Sequence, residues 1–138
     1  MPILDANVIL RYLLGDIPEQ SAEAQKAVLA GAATTAEVLA EVVYVLAGVY
    51  HVERQTIAQT LEGFLHEISI FHKQALGYAF RLYGESTLDF VDCILAGYQH
   101  TENQPVLTFD RKLQKALQNN PLSGQFHTDT NTGSDESI

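Results

Sequence analysis

An acid set inside an apolar run constrains a fold more than any composition does. This chain opens on one, in Ile3-Leu4-Asp5-Ala6-Asn7-Val8-Ile9-Leu10. An ionised carboxylate among Ile and Leu is costly unless a cation, a metal or hydrogen-bond donors answer it. Asp5 therefore either caps a helix or marks a place where the fold needs a charge. The pattern recurs late in the chain, where Val106-Leu107-Thr108-Phe109 runs into Asp110.

Between these two points, short apolar segments alternate with helical periodicity. Residues 2–4, 32–34, 68–71 and 105–108 read as short strands. Helices are expected from Asp5 or Asn7 to about Leu14, and from Pro18-Glu19 to Gly31. Behind Thr35 comes a strong one, because Val38, Leu39, Val42, Val43, Leu46 and Val49 recur at helical spacing. Further helices carry Ile57, Leu61, Phe64 and Leu65, then residues 73–83, then Leu88, Val91, Leu95 and Tyr98 behind a Thr87 cap, then 110–117. Strands alternating with more numerous helices predict an α/β fold, a central, mainly parallel, short-stranded sheet flanked by helices. In such sheets ligands bind beyond the carboxyl ends of the strands, where Asp5 and Asp110 would both project. From 119 to 138 the composition turns to Asn, Ser, Thr, Gly and Asp, which predicts one domain over 1–118 and a flexible tail. One edge strand is expected within it, at 125–127.

A chain of 138 residues with 46% apolar content suits a single globular domain without staples. Cys93 is the lone cysteine and lies in an apolar run, which suggests a core thiol in a reducing compartment. No cationic start precedes an apolar stretch and the run 42–47 is too short to span a bilayer. The expectation is a cytoplasmic protein with no membrane role. The formal charge of −9, from 17 acids against 8 bases, lowers the expectation of nucleic-acid binding without removing it.

The acids carry the functional signal. Glu41 and Asp92 each sit inside an apolar helical stretch, and Asp89, three residues before Asp92, shares its helical face. Each has a bland alternative: Asp5 and Asp110 as caps, Asp89 as a first-turn acid, Glu41 as half of an ion pair. Together these strain, because four acids flanked by apolar residues would draw four partners from only eight cations. A shared divalent cation answers them more economically. Hard oxygen donors without Cys or His select Mg²⁺ or Mn²⁺ over zinc. The five histidines show no ligand spacing and are expected at the surface. A carboxylate-held Mg²⁺ with open water positions suits phosphate substrates and argues for phosphodiester hydrolysis. A phospho-acceptor switch would want a Lys ending a later strand. An aspartate-nucleophile phosphatase would want Asp where Asn7 stands.

The blocks LDANVILRYLLGD, AEVLAEVVYVLAGVY, LDFVDCILAG and VLTFD, in this order and spacing, resemble the PIN domain (PilT N-terminal nuclease) family, in its toxin-type, VapC-like branch. The resemblance covers residues 2–117. It implies cleavage of single-stranded RNA with Mg²⁺ or Mn²⁺, an acidic quartet of Asp5, Glu41, Asp92 and Asp110, and Asp89 as an accessory ligand. Asn7 matches a polar position beside the first acid and Thr108 one before the last, while Arg11, Arg111 or Lys112 would hold phosphates. It also implies a homodimer bound by a small antitoxin protein. The apolar stretches 42–49 and 57–65 would offer surface for such contacts. A housekeeping RNA-processing enzyme and a catalytically dead partner-binding protein are the alternatives.

Overall fold

The computed structural model describes residues 1–125. Among them the chain forms seven helices: α1 (Ala6–Leu14), α2 (Pro18–Ala30), α3 (Ala36–Gly48), α4 (Arg54–Phe64), α5 (Lys73–Glu85), α6 (Phe90–Glu102) and α7 (Arg111–Asn119). Their ends follow local chemistry. The Asp5 carboxylate accepts from the Val8 amide at 2.9 Å, Thr35 Oγ1 from Val38 at 3.2 Å, and Asp110 from Leu113 at 3.0 Å. Each satisfies one of the amides a helix start leaves unpaired. Gly15, at φ +63°, closes α1 by donating to the Arg11 carbonyl.

The expected α/β architecture with a central, mainly parallel sheet is corrected by this structure: among the described residues the elements are helices, and no strand forms. Where strands at 2–4, 32–34 and 68–71 were expected, two isolated parallel bridges join Ile3 to Ala33 and Ala33 to Ser69. Four backbone bonds of 2.8–3.1 Å support them, from Leu4 to Ala33, Ala33 to Pro2, Thr34 to Ser69 and Ser69 to Ala32. The segments are too short to go further, because α1 and α3 start at once behind Asp5 and Thr35. At 105–108 the reason differs. Pro105 has no amide hydrogen, Val106 donates to the Gln99 side chain at 3.2 Å, and the Thr108 carbonyl accepts from Gln114 Nε2 at 2.8 Å. Glutamine side chains take up groups a ladder would have used. Leu107 and Phe109 are left about nine-tenths exposed.

The core lies between helices. The most extensive contact is α5 on α6, followed by α4 on α5, with α1 on α2 and on α3 beside them. Ile9, Leu39, Val42, Ile57, Leu61, Leu76, Tyr78, Phe80 and Cys93 are buried there. The Phe80 and Phe90 rings stack at 4.7 Å. The stretches expected to offer surplus apolar surface are largely consumed by this core, since Val42, Val43, Leu46, Ile57, Leu61, Phe64 and Leu65 are all buried. The described start of the polar C-terminal segment also reaches it: Leu122 is fully buried, and Asn120 Oδ1 accepts from the Tyr78 hydroxyl at 2.6 Å. The edge strand expected at 125–127 falls mostly outside the described residues. No described helix is long and apolar enough to cross a membrane.

Candidate active site

Helices α1, α3, α6 and α7 form a row, α1 against α3, α3 against α6 and α6 against α7. Each carries or is capped by one acid singled out above. Asp5 precedes α1, Glu41 lies within α3, Asp92 in the first turn of α6, and Asp110 precedes α7.

Asp92 is the most constrained of them. It is half-buried, and its carboxyl is pushed up from the ordinary aspartate range, first by burial, then by the charges of Asp110 and Asp89. A first-turn position should favour the anion through the helix dipole. Desolvation and two like charges outweigh that here. The structure thus brings Asp89 and Asp110 within electrostatic reach of Asp92. Asp5 and Glu41 are not among the charges acting on Asp92. Asp5 is exposed and spends one oxygen on its cap. Glu41 is exposed as well, because Leu39, Val42, Val43 and Leu46 turn the other side of α3 to the core and leave Glu37, Glu41 and Tyr44 outside. Asp89 stands at the N-cap of α6 without making a side-chain cap bond, and its carbonyl accepts from the Cys93 amide.

The neutral and basic candidates divide in the same way. Thr108 Oγ1 accepts from the Asp110 amide at 3.1 Å and so shapes the turn that presents this acid. Asn7 is exposed and lines a groove between α1 and α2. Arg11 is committed within the fold, donating to Asp16 at 2.8 Å and to the Tyr50 hydroxyl at 3.0 Å. Arg111 and Lys112 are exposed on α7, with Lys112 Nζ 3.4 Å from the Thr87 carbonyl.

Arg54 has a role that helical periodicity does not disclose. Placed by the sequence on a polar helix face, it lies 3.7 Å from the centre of the Tyr83 ring and donates to the carbonyls of Tyr83 and Leu88. It pins the turn that delivers Asp89. Only the approach of α5 to α4 makes that contact, so no local pattern signals it. Of the histidines, His51 and His66 are exposed, while His72 pairs with Glu102 at 2.8 Å and His100 bonds the Ala116 carbonyl. His127 lies outside the described residues.

Whether these acids suit a divalent cation is a question of donor chemistry. No group of three or more Asp, Glu, His or Cys among the described residues stands close enough to cage an ion. Mg²⁺ does not require one, since it is commonly held by one or two carboxylates with waters and substrate phosphate completing the shell. Asp92, disfavoured as an anion by its surroundings, is where a cation would relieve most cost, and the donors offered are oxygens alone.

No curated protein and no solved structure matches the chain. The family model described as the PIN domain matches residues 3–117, nearly the whole row of helices and every acid in it, and the chain belongs to the PIN domain family.

Proposed function

We propose that this PIN domain is a Mg²⁺- or Mn²⁺-dependent endoribonuclease that hydrolyses phosphodiester bonds of single-stranded RNA in the cytoplasm, as the toxin of a type II toxin–antitoxin pair. The observation that carries the reading is Asp92, held half-buried against the charges of Asp110 and Asp89. A carboxylate kept under that repulsion gains from a bound cation, which offsets the like charges around it. Asp92 and Asp110 would hold the metal with Asp89 accessory, and Asp5 and Glu41 would complete the acidic row on the neighbouring helices. The bound ion supplies charge neutralisation at the phosphoryl group and activation of the attacking water. Thr108 orients the turn before Asp110, Arg54 holds the turn before Asp89, and Asn7, Arg111 and Lys112 contact substrate. Arg11 acts through its internal bonds rather than on phosphate.

The partner is read as a small antitoxin, and the groove of about 410 Å³ between α1 and α2 supports an apolar contact. It is lined by Pro2, Leu4, Val8, Ala24 and Ala27, among others. The functional unit is read as a homodimer.

The purified chain is expected to cut single-stranded RNA with Mg²⁺ or Mn²⁺ and to stop in EDTA. Undiminished cleavage by protein shown to be metal-free would overturn this. Asp92→Asn should abolish cleavage while melting, without metal, no lower than the wild type. Added Mg²⁺ should then raise the wild-type Tm more than the variant's, since a ligand stabilises only the state that binds it.

A further inference from the structure

The eight basic residues are distributed unevenly, and the unevenness points to a second part of the substrate site. Three of them, Arg111, Lys112 and Lys115, lie in the first turns of α7, all exposed. Elsewhere Arg11 is taken by Asp16, Arg81 by Glu62, and Arg54 by two carbonyls and a tyrosine ring. Lys26 is the one base of α2, and Lys73 opens α5 eight residues before Arg81. Because α7 buries Leu113 and Ala116, its basic residues are turned outward. On an otherwise acidic molecule this is a concentrated positive strip. Among the described residues, none of its three cations forms a salt bridge.

Beside the strip runs a groove of about 590 Å³, between α7 and the turn that follows α5. Lys112 and Lys115 form one wall, Ser86 and Thr87 contribute hydroxyls, Asn119 an amide and, among the described residues, Glu85 the one acid. Lys112 and Lys115 are three residues apart on a helix, which puts their Cβ atoms about 5–6 Å apart on one face. Along the chain, the residues that line the groove adjoin the acids. Thr87 and Leu88 line it immediately before Asp89, and Lys112 lies two residues beyond Asp110. A polyanion whose scissile phosphate sits at the acids meets repulsion over most of the surface and attraction along this one path.

We propose that this groove holds the sugar–phosphate backbone of single-stranded RNA flanking the cleavage point, with Lys112 and Lys115 on successive phosphates and Ser86, Thr87 and Asn119 donating to phosphate or 2′-hydroxyl oxygens. The inference rests on the ribonuclease reading for its ligand, but it concerns a binding surface that can be measured without cleavage.

The test uses a fluorescent 12-nucleotide single-stranded RNA titrated by anisotropy with the full chain in EDTA, at several salt concentrations. Lys112→Gln/Lys115→Gln should bind about tenfold more weakly at low salt. The slope of log affinity against log salt should become shallower by about 1.4, at roughly 0.7 per phosphate contact on a single strand. Lys26→Gln, away from the groove, should match the wild type. A double variant with wild-type affinity and slope overturns the groove, as does a wild type that does not bind the oligonucleotide. Cleavage with Mg²⁺ or Mn²⁺, run in parallel, separates the two proposals. Equal cleavage by the wild type and the double variant keeps the nuclease and rejects the groove. A wild type that binds through the lysines but never cleaves keeps the groove and rejects the nuclease.

Discussion

Asp110 carries two roles that chemistry can separate. Its carboxylate caps α7 through the Leu113 amide, and its charge bears on Asp92. Asn caps a helix about as well as Asp but has no charge, whereas Ala does neither. Asp110→Asn should therefore keep the stability of the wild type and lose cleavage. Asp110→Ala should lose cleavage and about 1 kcal/mol of stability besides. Denaturant unfolding beside a cleavage assay reads both, and an active Asp110→Asn would reduce this residue to its cap. Cys93 gives a prediction in pH. It is fully buried, its Sγ 3.9 Å from the Leu88 carbonyl, and burial pushes the thiol from 9.0 up to about 12, against a smaller opposing pull from Arg54. The fold thus holds the protonated form more tightly than the unfolded chain does. This contribution is fully present below about pH 9 and is lost as pH rises from 9 towards 12. Cys93→Ala should flatten the fall in stability over that window. The native thiol should resist a disulfide reagent at pH 8 that labels it at once in guanidinium.

At the scale of the element, the contact of α5 on α6 is built around a missing side chain. A Cβ at Gly97 would lie 2.4 Å from the Ala75 carbonyl oxygen, a backbone atom that cannot swing aside. Glycine costs α6 about 1 kcal/mol of helix propensity, and that is offset by the approach it permits. Gly97→Ala recovers the propensity and forces the two helices apart, an overpacking that costs about 1–3 kcal/mol, or more against rigid backbone. The expected result is a net loss of stability, read as a Tm lowered by about 4 °C for each kcal/mol. A Tm at or above the wild type's would show that the helices yield. Helix existence was legible at this scale. The start of α6 was not, since Asp89 rather than Thr87 is its N-cap, and neither was the run of α5 through Gly84 to Glu85.

At the scale of the whole molecule, the question is where the fold closes. Leu122 is fully buried although it stands in a stretch whose composition reads as polar, and Asn120 ties the same stretch to Tyr78 on α5. A chain ending at Asn119 should lose much of what a Leu-to-Ala change in a core costs, about 2–5 kcal/mol, relative to one ending at Gln125. Leu122→Ala in the full chain should reproduce most of that loss. Equal melting of the two truncated chains would make the core complete without Leu122.

Helix number, most caps, the core face of α3 and the identity of the acids all follow from spacing that neighbouring residues share. Val38, Leu39, Val42, Val43 and Leu46 select one side of a helix whatever packs on it, and Asp5, Thr35 and Asp110 reach amides three residues ahead. The sheet depended on something else. A β-propensity at 105–108 becomes a strand only if another segment offers a free edge, and here Gln99 and Gln114 reach those groups first. The site divides along the same line. The sequence by itself determined that Asp5, Glu41, Asp89, Asp92 and Asp110 are acids with apolar neighbours along the chain. Only the packing of α6 on α7 decided that Asp92 would sit under the charge of Asp110, because burial and Coulomb forces act through distances that chain order does not set.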